Sequence, residues 1–261
     1  GPLELRAAGY ALCDDTEFSV RECKEARYSA VELRVAGHSS LSELIGHFSA
    51  FELREAGFAL AELAATNFSP EALHAAGYSA SEMRREGFEA GDLRLGGFNV
   101  AEVRQAGFST ADMRVAGYTV QELRAAGLSS GAQLKAAGFT ASELRAAGCS
   151  APHTKAAGYA LPELKTAGFT PTELRPVGFR LGDFKSVGYP LHQLREAGFT
   201  SIQLRNHGYM AAEQKAAGYT AHELKDAGCT AAELKAAGFS ASELRGASCS
   251  ASELRIALYT P

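Results

Sequence analysis

The sequence predicts an all-α solenoid, a superhelix of very short helices with one helix per ten-residue repeat. Three observations lead there. Nearly the whole 261-residue chain consists of drifted copies of one unit, seen in full as Ala236-Ala237-Gly238-Phe239-Ser240-Ala241-Ser242-Glu243-Leu244-Arg245. Each copy carries a helix start signal and a helix stop signal. Apolar residues fall three before the Leu position, at it, and three after it, as with Ala231, Leu234 and Ala237. That is one stripe of a 3.6-residue helix and not the alternation of a strand.

Within one unit, Ser240 stands at the N-cap and Glu243 at the third helical residue, which is a capping box. Phe239 before the cap and Leu244 after the box form a hydrophobic staple. Reading on from Leu234, Gly238 closes the helix in a left-handed turn and Phe239 follows it. One aromatic therefore ends one helix and staples the next. Asn67 stands at a Gly position and is expected to take the left-handed conformation in its place. Pro70 and Pro171 fall at the first helical residue, Pro152 and Pro162 at the second, and Pro190 at an N-cap. No intrahelical N–H is needed there. Pro176 falls late in its helix and should distort the end of it.

The unit is similar to tandem decapeptide repeats of the form AGFSAxELRx. Split in two, as A-G-F-S-A and S-E-L-R-A, it also loosely resembles the pentapeptide-repeat family. That resemblance implies a right-handed quadrilateral β-helix, whose coils need a small inward residue two before each central Leu or Phe. Here that position holds Arg21, Phe51, Glu71, Gln121, His192, Ile202 and His222, too large for a narrow β-coil. The helical solenoid is therefore the expected fold, with the β-helix as its alternative.

Along the chain, residues 1–261 read as a single continuous array with irregular copies near 11–48 and 128–155. Residues 11–17 are too few for a unit and locally acidic, and Arg27 replaces a Gly. An extra residue precedes Leu44 and one is missing after it. Copies are regular from Phe58 to Tyr118, until an insertion at 128–134 shifts the frame by one. The copy from Cys149 to Lys155 lacks both its aromatic and its Leu, and Gln214 occupies another Leu position. Helices this short are unstable alone, so each unit depends on stacked neighbours.

With 46% hydrophobic and 21% charged residues the chain is no disordered polar polymer, and its net charge of −4 marks no obvious polyanion binder. The five cysteines have no zinc spacing. Cys23 fills a Leu position and Cys149, Cys229 and Cys249 fill aromatic ones, as buried thiols acting as small hydrophobes; Cys13 is the fifth. Unpaired cysteines and the lack of a signal peptide favour an intracellular, reducing compartment, and no apolar run approaches a membrane span. The opening Gly1-Pro2-Leu3 reads as the trace of a protease cleavage, which would place the native N-terminus, and any targeting signal, upstream.

A comb of cations follows the Leu position, with Arg84, Arg94, Arg104, Arg114 and Arg124 as consecutive teeth. Such a row could track a nucleic acid or another polyanion. An equally regular acidic row, including Glu52, Glu82, Glu102 and Glu122, precedes the Leu position, so interleaving with adjacent units would neutralise the surface. The Ser and Thr row after the aromatic is explained by capping. The seven histidines lack metal spacing, and His38 fills an aromatic position. Cys149 and His153 are four residues apart and suggest a nucleophile pair, but Cys149 is expected to be buried. No catalytic, metal or cofactor motif is found. The chain is expected to be a non-enzymatic scaffold that binds another protein. Candidate contact residues are the freely varying positions two after and two before Leu: Val35, Glu55, Arg85, Leu95, Gln105 and Val115, with Phe51, Gln121, His192 and Ile202. The alternatives are polyanion binding along the comb and end-to-end self-assembly through apolar Ile256, Leu258 and Tyr259.

Overall fold

The computed structural model describes residues 1–9 and 18–259, with backbone alone at 256, 258 and 259. Cys13, the acidic stretch 11–17 and the side chains of Ile256, Leu258 and Tyr259 lie outside the described residues. Among the described residues there are 25 short α-helices, one 3₁₀ turn and no strand. The β-helix alternative is therefore set aside. Most helices have six residues, for example Ala30–Val35, Ala50–Glu55 and Ala241–Gly246.

The start and stop signals operate as the sequence predicts. At Ala241–Gly246 the Glu243 N–H donates to Ser240 Oγ at 3.3 Å, and the Ser240 N–H donates to the Glu243 carboxylate at 2.7 Å. At the preceding helix end Gly238 sits at φ 87. Its N–H donates to the Lys235 carbonyl at 2.8 Å, and the Phe239 N–H to the Leu234 carbonyl at 3.1 Å. These two bonds are the Schellman closure, which needs a left-handed residue. Pro176 ends its α-helix at Leu174 and turns Arg175–Val177 into the 3₁₀ turn.

Asn67 is a correction. Arg27 and Ser248, at φ 65 and 60, are the non-glycine residues with positive φ among those described, and Asn67 is not one of them. The helix Leu60–Ala64 ends differently: Thr66 donates both its N–H and its hydroxyl to the Leu63 carbonyl, at 3.1 and 2.5 Å. The hydroxyl satisfies an end carbonyl that the Schellman turn would otherwise have closed.

The chain falls into two compact units, residues 1–129 with 136–138, and residues 130–135 with 139–261. The first boundary coincides with the insertion at 128–134. In both units alternate helices pack on one another. In the first, Ala30–Val35, Ala50–Glu55, Pro70–Ala75, Ala90–Leu95 and Thr110–Val115 form one stack, each on the next. In the second, Ala141–Ala146 packs on Leu161–Thr166, and Ala221–Asp226 on Ala241–Gly246. One coil thus contains two repeats. Tyrosines record the same period, since the Tyr118 hydroxyl donates to the Phe98 carbonyl at 2.7 Å and the Tyr189 hydroxyl to the Phe169 carbonyl at 2.6 Å, each across 20 residues.

The core is the Leu column with its flanking small residues. Leu33, Leu53, Leu73, Leu93, Leu164 and Leu224 are fully buried, and most described aromatics between them are buried too. Two Leu positions hold polar residues, and both are satisfied, as burial demands. The Thr154 hydroxyl donates to the Ser150 carbonyl at 3.0 Å. Gln214 accepts from the Ser201 hydroxyl at 2.6 Å and donates to the Tyr209 carbonyl at 3.1 Å.

Candidate functional site

Around the helix, the Leu position and the residues three before and three after it face the core. The positions two before and two after it stand opposite, one helical turn apart, and form an outward ridge. Between core and ridge lie the acid one before Leu and the cation one after it.

The cation is held by the coil above. Arg54 donates to the Ala76 carbonyl at 2.7 Å, with its guanidinium 4.6 Å from the Tyr78 ring centroid. Arg34 repeats this on Ala56 at 2.6 Å and Phe58 at 4.3 Å. The second unit does the same with Arg175 on Ala197 at 2.5 Å and Phe199 at 4.6 Å. A helix C-terminus presents orphan carbonyls and partial negative charge, and the ring adds a cation–π face. The acid at the start of the following helix often completes the clasp: Arg94 is 3.4 Å from Glu122, Arg145 is 3.4 Å from Glu173 and Arg205 is 3.6 Å from Glu233. Interleaving therefore takes place, but with the turn one coil away and not with the adjacent unit.

Of the five comb teeth, Arg84 donates to Ala106 at 2.5 Å and lies 4.7 Å from the Phe108 ring. Arg94 lies 4.6 Å from the Tyr118 ring. Arg114 and Arg124 also have partners. Arg104 is exposed, and the ring position that corresponds to it holds Leu128, which has no ring. His74 replaces a tooth: its ring stacks on Phe98 with centroids 3.8 Å apart and its Nδ1 is 2.7 Å from the Gly96 carbonyl.

All ten predicted contact positions are exposed: Val35, Phe51, Glu55, Arg85, Leu95, Gln105, Val115, Gln121, His192 and Ile202. The structure sorts them. Val35, Phe51, Glu55, Leu95 and Val115 belong to the single stack of the first unit that begins at Ala30–Val35. Arg85, Gln105 and Gln121 stand on the intervening helices, and His192 and Ile202 on consecutive helices of the second unit. Val31, which the sequence reading passed over, is exposed on the same stack as Val35.

Cys149 is half-buried, not buried as expected, and His153 Nδ1 lies 3.0 Å from Ser150 Oγ. Cys23, Cys229 and Cys249 are buried as expected. His38 is buried, with Nδ1 3.5 Å from the Glu43 carboxylate. Among the described residues no cluster of three or more His, Cys, Asp or Glu could hold a metal, and no helix is long and apolar enough to cross a membrane. Grooves of ≈ 620 Å³ beside Arg94, Tyr118 and Glu122, and ≈ 510 Å³ beside Arg205, Cys229 and Glu233, recur at equivalent places of the clasp.

Some of the capping acids are held low by their caps. The Ser79 hydroxyl and then its N–H hold Glu82 below the ordinary carboxylate value, Ser109 does so for Asp112, and Ser240 for Glu243. Glu253 is brought down to about 2, first by the Lys225 ammonium and then by the Ser250 N–H. Burial pushes the Tyr189 hydroxyl up to about 12. Each of these groups serves the repeat frame.

The clasp is what the sequence reading missed. A signal for the two-repeat coil was present in Tyr78, Tyr118 and Tyr159, alternating along one column with Phe58, Phe98 and Phe139. The profile of a decapeptide repeat region matches four stretches, residues 44–110, 82–151, 117–191 and 198–261, which together cover more than half of the chain. No curated protein and no solved structure matches it.

Proposed function

We propose that this chain, which belongs to the decapeptide-repeat family, is a non-enzymatic scaffold that binds another protein through its outward ridges. The observation that carries this reading is a division of labour among positions. The residues that recur are engaged in helix caps, helix ends, the core and the coil-to-coil clasp. The residues that vary are exposed on a fixed frame, in rows that follow the stacked helices. Solenoids use such rows as extended binding surfaces. Because most comb cations are turned onto carbonyls, rings and carboxylates of the chain itself, a protein partner suits the surface better than a polyanion.

The test is crosslinking capture from cells of the source organism. Wild type is compared with a variant in which Phe51, Leu95 and Val115 are each replaced by Ser. A set of proteins captured by wild type and lost from the variant is the expected result. Identical capture by both overturns the reading, and retention on heparin that vanishes with rising salt would transfer it to polyanions.

A further inference from the structure

Within the first unit the two sets of outward ridges differ in chemistry. On the stack that begins at Ala30–Val35, large apolar side chains stand exposed toward both ends: Val31, Val35 and Phe51 on its first two helices, Leu95 and Val115 on its last two. Val35, Leu95 and Val115 are 76%, 77% and 89% exposed, more than an isolated surface residue needs to be explained. On the intervening helices the same positions hold Arg21, Glu25, Arg85, Gln105 and Gln121 among small residues.

The middle of the apolar stack is acidic. Glu55 and Glu71 are its ridge charges, both exposed. The side chains in the cation position on these helices point away from both acids, Arg34, Arg54 and His74 to carbonyls of the coil above and Arg94 to Glu122. The ridge therefore reads apolar, acidic, apolar along the stack.

Its spacing suits a helix. Packed helices lie about 8–10 Å apart, so the five ridges span roughly 32–40 Å. One face of a helix laid along them repeats every seven residues, about 10.5 Å. We infer that this stack binds an amphipathic α-helix of a partner protein, apolar on both end turns of its inner face and carrying Lys or Arg at the middle. The mode is packing of a helix across a row of ridges, with the charges setting specificity. A second copy of this chain, related by a two-fold axis through the middle of the stack, would bring Glu55 and Glu71 against their own equivalents, which like-charge repulsion disfavours. This inference rests on the scaffold reading and specifies its partner.

The experiment selects from a displayed library of random peptides of about 24 residues, roughly 36 Å as a helix, on the full chain. Peptides that also bind the Phe51→Ser/Leu95→Ser/Val115→Ser variant are removed. The expected winners are helix-forming, net basic, with Lys or Arg between two apolar clusters. They should bind Glu55→Lys/Glu71→Lys at least about tenfold more weakly, and acidic versions of the same peptides should regain that loss. Far-UV circular dichroism of both variants, which change only exposed positions, should match wild type. Enrichment of acidic or Pro-rich extended peptides that depend on the ridge overturns the partner chemistry and leaves the scaffold reading standing. Binding that no ridge variant weakens overturns both. An empty selection overturns the inference, and so does a dimer in sedimentation that the Ser variant dissolves, which would make a second copy the occupant.

Discussion

In the first unit the Leu position holds Leu, Met, Val or Cys, and the ridges carry Val31, Val35, Phe51, Leu95 and Val115. In the second unit the same core position admits Thr154 and Gln214, the aromatic position admits Cys149, Cys229 and Cys249, and the ridges are mostly Ala, Pro, Ser and Thr, with Ile202 as the large apolar exception. The clasp is the same in both. Frame and ridge have thus drifted separately: the unit with the more regular core bears the larger exposed side chains, and the unit with the polar core bears the smaller ones. A polar residue enters the Leu column only where a hydroxyl or carbonyl can satisfy it, as Ser201 and Tyr209 do for Gln214.

The largest expected effect tests that contrast in the core. Leu73→Ala in the first unit removes a fully buried side chain between stacked coils and should cost about 2–5 kcal/mol, read as a lower urea midpoint. The reciprocal change, Thr154→Leu, restores the consensus in the second unit. The Thr154 hydroxyl bonds only within its own helix, so its removal strands no donor, and a gain of about 1 kcal/mol is expected. A loss would show that the neighbouring coils have closed on the smaller side chain.

A smaller effect separates two teeth of the comb that look alike in sequence. Arg54 has a carbonyl at 2.7 Å and the Tyr78 ring at 4.6 Å, so Arg54→Ala should cost about 1–2 kcal/mol. At Arg104 the ring position is Leu128, and Arg104→Ala should change stability by less than about 0.5 kcal/mol. Equal effects would mean that neither the carbonyl nor the ring adds to the clasp.

These differences mark what was legible in advance. Caps, Schellman turns, the Leu column and the distorted helix end at Pro176 are local, set by residues within one repeat, and were readable there. So were the free positions, because whatever does not recur is not needed by the frame. The two-repeat coil left little trace in a ten-residue period, since the caps and stops are the same in nearly every copy and the alternation of Tyr78 and Tyr118 with Phe58 and Phe98 gains its meaning only from contact across 20 residues. The apolar row from Val31 to Val115 follows from that pairing. In sequence it is scattered among Arg85, Gln105 and Gln121, and it becomes one surface only when alternate helices stack. Asn67 failed for a local reason, because its neighbour Thr66 offered a hydroxyl that ended the helix without a left-handed residue.

The last effect is small, is present at neutral pH and disappears with acid, and it bears on the feature both units share. Glu82 in the first unit and Glu243 in the second accept from the N-cap hydroxyl and N–H, which lowers each below its ordinary value of 4.5. A carboxyl that is more acidic folded than unfolded adds stability above the unfolded value and loses it as pH falls through the folded one. Stability should therefore decline from about pH 4.5 downward, with Glu253, at about 2, among the last to go. Protonation leaves the carboxyl a poorer acceptor for the N-cap donors, so the helix starts loosen in both units. Glu82→Gln and Glu243→Gln isolate this contribution. Gln203 already serves in a native box, accepting from the Thr200 N–H at 3.0 Å, so the geometry tolerates the amide. Each variant should unfold at slightly less urea than wild type at neutral pH, where the carboxylate contribution is missing, and show a shallower loss that converges with wild type between about pH 4.5 and 2. The two shallower slopes should match, because the box is local and does not depend on how regular the surrounding core is. A change at Glu82 with none at Glu243 would show that the polar core of the second unit, and not its caps, governs its acid response.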